Sequence, residues 1–251
     1  MTAVYEPSRT LPAKIGRRLT QWRAARPVRI APARPTLSIS FDDFPASAAR
    51  QGMSVLADAG VRATFYACAG LKGQDSPFGP MFSNGDLAAV HAAGHEVACH
   101  TFSHLDCAQA SPETVLKECD RNAEELLASP FSHMAYPYGE TTFALKQALR
   151  PRFQTARGIL SGLNRGRVDA LQLRAVSLYG KAADQAVSPW LEAAAARNAW
   201  LILFTHDVAE SPSRFGTTPQ ALAATLSSAQ ARGFAIMPVG EAADQLLKDP
   251  A

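Results

Sequence analysis

From Thr36 to the C-terminus, short apolar runs alternate with amphipathic helical stretches, and this alternation limits the possible folds more than any other feature. Repeated strand–helix units of this kind form parallel sheets covered by helices. The predicted strands are residues 36–41, 61–67, 95–99, 133–136, 153–156, 171–176, 200–205 and 234–239. The chain is therefore predicted to be α/β, a single-domain distorted (β/α) barrel of about seven units, with a doubly wound open sheet as the alternative.

Two of the helical stretches have recognisable ends. One is expected over residues 84–93, where Gly94 ends it, and another over residues 112–127, where Pro112 takes the first helical position. With 251 residues, of which 47% are apolar, the chain is long enough to bury one large core.

Residues 1–35 are predicted to be a basic N-terminal extension, and residues 36–251 the main domain. The extension holds eight of the 25 Lys and Arg residues but a single acid, Glu6. A helix over residues 12–25 would bring four apolar side chains close to one stripe: Leu11, Ile15, Leu19 and Trp22. Such a helix either contacts anionic lipid or an acidic partner, or packs its apolar stripe on the main domain.

The location of the protein is predicted from what the chain lacks. No stretch approaches the length of a membrane span, and the N-terminus has no apolar run or cleavage site of a secretory signal. We therefore expect a cytoplasmic protein, with the inner membrane surface as a place of peripheral contact through the extension. No C-x-x-C pair is present, so the four cysteines are expected to be reduced thiols that fill apolar volume: Cys68, Cys99, Cys107 and Cys119.

Polar or turn-forming residues follow four of the predicted strands, each at the carboxyl end. These groups are Asp42 with Asp43, His100 with His104, Pro137 with Tyr138 and Gly139, and His206 with Asp207. Barrels and open α/β sheets both place their active sites at the carboxyl ends of the strands. The four groups are therefore expected to converge on one site.

The adjacent carboxylates Asp42 and Asp43 repel each other at the end of a buried strand, so a positive charge is expected nearby. His100 and His104 can converge on one ion and, with one carboxylate, form the N,N,O ligand set of a catalytic zinc site. Structural alternatives exist for each piece. Either aspartate could cap a helix near Pro45, and the histidines could form surface pairs with nearby acids.

The same segments carry a family resemblance, in the same order along the chain. Residues 40–45 (S-F-D-D-F-P) resemble the T-F-D-D-G-P motif of the polysaccharide deacetylases, the carbohydrate esterase group of chitin, peptidoglycan and nodulation-factor deacetylases. Residues 94–104 resemble its G-H-E-x-x-x-H-[ST]-x-x-H motif, 136–139 its R-P-P-Y-G, 203–207 its L-x-x-H-D and 63–66 its A-T-F-F strand. The resemblance runs from about Thr36 to the C-terminus.

The resemblance implies a role for each matching residue. Asp42 would be the general base, His206 the general acid, and Asp43, His100 and His104 the ligands of one divalent metal ion. Zinc is the expected metal, with cobalt or nickel as alternatives. Pro137, Tyr138 and Gly139 would form the substrate and oxyanion segment, with the backbone N–H of Tyr138 as a donor.

Two positions depart from the family pattern. Phe44 replaces a glycine, which suggests a different backbone or a bulkier lip beside the carboxylates. Ala135 stands where the family has an arginine that contacts the catalytic aspartate, and Arg174 in the predicted strand 171–176 is the hypothetical replacement. Trp190 and Trp200 are the candidates for lining the acyl pocket, although core packing is the expected role of Trp200.

The expected function is removal of an N-acetyl group from an amino sugar or saccharide. The expected substrate is a cytoplasmic intermediate of surface polysaccharide synthesis. A deformylase or cyclic-amide hydrolase would use the same site. A catalytically dead saccharide-binding module is the alternative from another class. Nucleic acid is not an expected partner, because the basic residues lie in one extension with few aromatic residues among them. The sequence does not indicate an oligomeric state.

Overall fold

The computed structural model describes residues 10, 15, 19, 20, 22–126 and 130–248, and it shows a curled parallel sheet with helices on its outer face. The strands of the main sheet are β2 (Thr36–Phe41), β3 (Thr64–Ala67), β6 (Glu96–Cys99), β7 (His133–Ala135), β8 (Thr155–Arg157), β10 (Val176–Ser177), β11 (Trp200–Thr205) and β12 (Ala235–Ile236). Seven of them follow one another in the order β10-β11-β2-β3-β6-β7-β8, and β12 pairs with β2. A parallel bridge between Arg157 and Leu173 joins the last strand to the segment before β10. The predicted α/β class and distorted barrel are confirmed.

The helices lie mostly between successive strands. They are α1 (Met53–Asp58), α2 (Asn84–Ala92), α3 (Pro112–Leu126), α4 (Phe143–Leu149), α5 (Ala183–Arg197), α6 (Pro219–Ala231) and α7 (Val239–Leu246), and a π-helical turn (Ala48–Gly52) leads into α1. Helix α2 begins with a capping box, in which the Ser83 and Asp86 side chains each accept from the other residue's backbone N–H. At the start of α4 and α6, the side chains of Thr142 and Thr218 each accept one hydrogen bond from a backbone N–H of the first turn.

Side chains alternate between the two faces of the strands. On β2, Leu37, Ile39 and Phe41 belong to the large core between sheet and helices. On β11, Trp200 and Ile202 pack in a second cluster on the opposite face, inside the curled sheet. Because successive side chains of a strand point to opposite faces, even-numbered residues of both strands face the interior. This alternation continues past the strand ends and directs Asp42, His100 and His206 to the interior, whereas the left-handed backbone of Asp43 departs from it.

A small antiparallel sheet packs against the interior cluster of the curled sheet. It consists of β1 (Pro27–Ile30) between β9 (Gly166–Asp169) and β13 (Leu247–Lys248). Ile30 is fully buried in the interior cluster. The last part of the predicted extension is therefore built into the domain.

The N-terminal segment is fastened to the domain by a buried lysine. The side chain of Lys146 has no exposed surface, and its Nζ donates to the carbonyl oxygens of Thr20 at 2.7 Å and Arg23 at 2.9 Å, and to Asp169 Oδ2 at 2.8 Å. Asp169 also accepts from the backbone N–H of Ala25, just before β1 begins. Charge and hydrogen bonds are thus matched inside the fold.

The apolar stripe of the predicted N-terminal helix does not pack on the domain. The described residues Ile15, Leu19 and Trp22 are helical, with exposed fractions of 50%, 50% and 80%. Leu11 and most of the other positions of the predicted helix 12–25 lie outside the described residues. The interpretation that the stripe docks on the domain is therefore wrong for these three side chains. Among the residues that the structure describes, no helix is long and apolar enough to span a membrane.

Most predicted elements are present, and the late strands are the least accurate. The bounds of β2 and β11 match the prediction. The predicted strand 171–176 is wrong in its first half, because residues Ala170–Gln172 form a 3₁₀ turn and only Val176–Ser177 pair as a strand. The four cysteines are buried free thiols, as predicted.

Candidate active site

A buried metal-ligand group lies at the carboxyl ends of β2 and β6. Asp43 Oδ1 is 3.1 Å from His104 Nε2 and 3.4 Å from His100 Nε2. These three ligand atoms lie within 4.8 Å of one another, so one ion can contact all three. Asp43 and His100 are buried, and His104 is partly exposed, which leaves an open side.

The protonation state of His100 suits a metal ligand. Its Nδ1 lies 2.8 Å from the Ala135 carbonyl oxygen, so Nδ1 carries the proton and Nε2 presents a lone pair toward Asp43. Burial lowers the pKa of His100 to about 4, which keeps the imidazole neutral at neutral pH. The ring is thus oriented by the carbonyl and available as a ligand.

One carboxylate oxygen of Asp43 lacks a hydrogen-bond donor among the described residues. Its Oδ1 is fully buried and accepts no hydrogen bond. Burial raises the pKa of Asp43, but His104, His206 and His100 outweigh this effect and hold the pKa below its ordinary value. A buried, ionised and unsatisfied carboxylate beside two imidazoles fits a divalent cation, which would complete its coordination.

Asp42 is paired with an arginine that the sequence analysis missed. Arg157 Nη2 donates to Asp42 Oδ1, and Arg157 Nη1 donates to the Gly158 carbonyl oxygen at 3.0 Å. Burial lowers the pKa of Arg157, but Asp42 more than offsets this, and the pKa lies above its ordinary value. Neither Asp42 nor Asp43 caps a helix, since the π-helical turn begins after Ser47 without a side-chain cap.

Arg157 reaches Asp42 from the strand next to the one that carries Ala135. Ala135 and Arg157 are register partners in the β7–β8 pair, so their side chains are neighbours on the interior face. The Arg157 guanidinium lies between the rings of Tyr66 at 5.0 Å and Phe204 at 4.9 Å. The alanine leaves room in the interior, where it packs with Tyr66 and Ala98.

The hypothesis that Arg174 replaces the family arginine is wrong. Arg174 is exposed, and its backbone N–H and carbonyl oxygen bond to the Asn164 side chain at 2.9 Å each. Its side chain lies against Gly162, away from the carboxylates. The one signal in the sequence was that Arg157 directly follows the predicted strand 153–156, at the carboxyl end of that strand.

His206 faces the metal-ligand group from β11. Its Nε2 is 3.9 Å from Asp43 Oδ2, and its Nδ1 is 3.3 Å from the Phe215 carbonyl oxygen. Asp207 is not a surface partner of His206: it is buried, and its carboxylate accepts from the N–H and hydroxyl of Ser213. A Cβ at Gly216 would lie 2.4 Å from that carboxylate, so Asp207 holds the loop that carries the Phe215 carbonyl close to His206.

Pro137, Tyr138 and Gly139 form a tight turn after β7. The Tyr138 ring lies 4.5 Å from the His104 ring, which places the turn beside the metal-ligand group. Burial raises the pKa of the Tyr138 phenol to about 12, so this hydroxyl stays protonated. A Cβ at Gly139 would lie 2.3 Å from Ile159, and only glycine fits there.

Backbone strain is concentrated at this site. Of the six described non-glycine residues with positive φ, all but Asn198 belong to the site segments: Asp43, Phe44, Thr101, His104 and Tyr138. Left-handed backbone costs free energy in such residues and persists only where the surrounding structure holds it. Such concentration is typical of a functional site.

The comparisons with known proteins agree with this geometry. The family model for polysaccharide deacetylase matches residues 29–151. Over this segment, the chain belongs to the polysaccharide deacetylase family. No curated protein matches the chain.

Solved structures of this family share the fold at low sequence identity. A chitin deacetylase from the fungal pathogen Colletotrichum lindemuthianum is 16% identical with a TM-score of 0.62, over 91% of this chain and 98% of its own. A peptidoglycan N-acetylglucosamine deacetylase is 14% identical with a TM-score of 0.60, over 84% and 89%. A family 4 pseudoenzyme from Bacillus anthracis is 13% identical with a TM-score of 0.59, over 86% and 67%. Because a pseudoenzyme has the same fold, activity must be argued from the site.

Phe44, which replaces the glycine of the family motif, is neither a lip nor the sign of a new backbone. Its φ of 62° is the left-handed conformation that glycine adopts most easily. Its ring is fully buried, stacks on Phe82 with a centroid distance of 4.4 Å, and contacts the tilted ring of Phe65 at 5.0 Å. The Phe44 carbonyl oxygen also accepts from the Phe82 N–H at 3.1 Å. Packing thus compensates for the strain and links the aspartate loop to the segment before α2.

We expect Phe44→Gly to destabilise the protein in spite of the strain that it relieves. Loss of a buried phenylalanine ring costs roughly 3–5 kcal/mol, whereas the left-handed backbone costs about 1–2 kcal/mol. The net loss should be about 2 kcal/mol in the free energy of unfolding, measured by urea denaturation. Phe44→Leu, which keeps most of the apolar volume, is the control. A Phe44→Gly variant as stable as the wild type would show that the ring packing contributes little.

Three aromatic side chains near His206 were also missed by the sequence analysis: Phe78, Tyr179 and Phe215. Their ring centroids lie 5.1, 5.9 and 5.6 Å from the His206 ring. Neither tryptophan considered for the acyl pocket lies there. Trp200 is buried in the interior, where its Nε1 donates to Ser38, and Trp190 packs on the outer core from α5.

Proposed function

We propose that this protein is a metal-dependent hydrolase that removes the N-acetyl group of an amino sugar or saccharide. The observation that carries the proposal is the convergence of five side chains at one rim. Three of them, Asp43, His100 and His104, form the metal-ligand group, while Asp42 and His206 flank it. A saccharide-binding module without activity would not require an acid and a base on either side of a metal-ligand group.

Zinc is the metal that we propose, with cobalt or nickel as alternatives. A donor set of two imidazole nitrogens and one carboxylate oxygen suits a borderline-soft ion and leaves a coordination position open. When bound, the ion would polarise the acyl carbonyl and lower the pKa of a water molecule.

The residues of the chain supply the proton transfers. Asp42, held by Arg157, accepts the proton that the attacking water loses. The backbone N–H of Tyr138 is our proposed donor to the oxyanion of the tetrahedral intermediate. His206, oriented by the Phe215 carbonyl, donates a proton to the departing amine as the C–N bond breaks. The products are acetate and a free amino sugar.

The natural substrate is a narrower proposal. We propose a cytoplasmic intermediate of surface polysaccharide synthesis, linked to a nucleotide or to a lipid. Peripheral contact with the inner membrane surface is supported by the exposed Ile15, Leu19 and Trp22 in a basic segment. A formylated or cyclic amide substrate would use the same residues.

The first test combines metal analysis with an activity assay. We expect about one zinc-type ion per chain after reconstitution, and acetate release from N-acetylglucosamine oligomers that falls by at least about a hundredfold in Asp42→Asn. Absence of metal after reconstitution would overturn the catalytic reading and favour the binding module. If the metal-bound protein releases no acetate from these oligomers but releases formate from N-formylated sugars, the acyl group that it removes is formyl and not acetyl.

A further inference from the structure

The His206 side of the site has a wall of aromatic rings, which we call the aromatic cluster: Phe78, Tyr179 and Phe215. Phe78 and Tyr179 each contact Phe215, with centroid distances of 6.0 and 5.6 Å. All three residues are half-buried and lie beside the partly exposed His206. The proposed mechanism gives these rings no role.

The position of the cluster indicates which part of a substrate would meet it. A general acid must lie within hydrogen-bond reach of the atom that it protonates. With His206 as the acid, the leaving nitrogen lies beside its ring, and the sugar carbon bonded to that nitrogen lies one bond further. The acyl group lies on the other side of the scissile bond, toward the metal ligands. The sugar ring is therefore directed to the cluster.

Within the cluster, Phe78 is the ring best placed to stack on a sugar. The Arg214 guanidinium lies 4.5 Å from the Phe215 centroid and covers that ring. The Phe78 ring, 5.1 Å from His206, is carried by the hairpin of β4 (Asp75–Ser76) and β5 (Gly79–Pro80). Pyranose rings have an apolar C–H face, and aromatic side chains in binding sites offer a matching surface.

The hairpin is fixed relative to the catalytic carboxylates. Ser76 Oγ accepts from the Phe78 N–H at 3.1 Å and donates to the Gly79 carbonyl oxygen at 2.8 Å, which shapes the tip. Met81 forms a bridge with Pro45 at the end of the aspartate loop. Phe78 is therefore held in place before a substrate arrives, which reduces the entropy that binding must lose.

From these observations we propose that Phe78 forms the subsite for the sugar ring whose amino group is deacetylated, with the apolar face of that ring stacked on the phenylalanine. The inference rests on the proposed function and deepens it, because it places substrate selection on the leaving-group side. Phe215 and Tyr179 support the stacking ring and exclude water around His206. Amides without a ring next to the nitrogen would lack this contact.

Binding can be measured apart from turnover. The parent protein is Asp42→Asn with added zinc, titrated calorimetrically with the tetramer of N-acetylglucosamine. Adding Phe78→Ala should weaken binding by about tenfold, whereas Phe78→Trp should retain it. Trp22→Ala, which removes an exposed aromatic residue outside the site, is the matched control and should leave the Kd unchanged.

Each outcome distinguishes the subsite from the underlying function. An unchanged Kd in Phe78→Ala, with a parent that binds the tetramer, would overturn the subsite alone. A weaker Kd in both Phe78→Ala and Phe78→Trp would show that the hairpin shape, and not stacking, matters, and would also overturn it. A parent that does not bind the saccharide would overturn the proposed function and the subsite with it.

Discussion

Arg157→Ala is expected to lower kcat/KM for deacetylation by about a hundredfold or more, because the buried Asp42 carboxylate would lose the guanidinium that holds it. The free energy of unfolding should also fall, by about 3 kcal/mol, since truncation leaves an uncompensated charge inside the sheet. The measurements are steady-state kinetics on N-acetylglucosamine oligomers and urea denaturation. Arg174→Ala is the matched control, because Arg174 is exposed and should not affect activity.

A position swap tests whether the guanidinium itself matters. Ala135 and Arg157 are register partners on strands about 4.8 Å apart, so Ala135→Arg combined with Arg157→Ala returns a guanidinium to the same space. We expect the kcat/KM of the double variant to be at least about tenfold higher than that of Arg157→Ala, which is equivalent to about 1.4 kcal/mol in the activation free energy. A folded double variant as inactive as Arg157→Ala would contradict the positioning role. Full activity in Arg157→Ala would exclude it.

Asp43→Asn is expected to abolish stabilisation by zinc, while it changes the stability of the metal-free protein by less than about 1 kcal/mol. The reason is that opposing effects act on the Asp43 carboxylate in the metal-free protein: burial destabilises its charge, the nearby histidines stabilise it, and its Oδ1 accepts no hydrogen bond from the described residues. For the wild type, free zinc at a hundredfold excess over its Kd should add about 2.7 kcal/mol. Thermal denaturation with and without zinc gives both values.

This pair of measurements separates a metal ligand from a structural residue. If Asp43 stabilised the loop by itself, Asp43→Asn would lower the Tm of the metal-free protein as well. Asp86→Asn is a suitable control, because Asp86 takes part in the capping box of α2 and lies outside the metal-ligand group. It should lower the Tm in both conditions and keep the increase on addition of zinc. A zinc-induced increase in Asp43→Asn similar to that of the wild type would exclude Asp43 as a ligand.

The sequence determined the class of fold and the composition of the rim. The alternation of apolar runs with helical stretches predicts parallel strands, and the rule that their carboxyl ends meet at one edge brings Asp42, Asp43, His100, His104 and His206 together. The bounds of β2 and β11 follow from continuous apolar runs. Both strands are buried on both faces, so the pattern is strong.

Only the tertiary structure decided how these residues are supported. Arg157 contacts Asp42 because the register of β7 against β8 places it beside Ala135, and register between strands distant in sequence is not readable from one strand alone. The Arg174 hypothesis failed because a 3₁₀ turn interrupts the apolar run, so the strand alternation that it assumed does not apply there. Phe44 is tolerated in a left-handed backbone because Phe65 and Phe82 pack on its ring. Local patterns therefore identified the reacting groups, whereas their partners depend on packing between segments far apart in the chain.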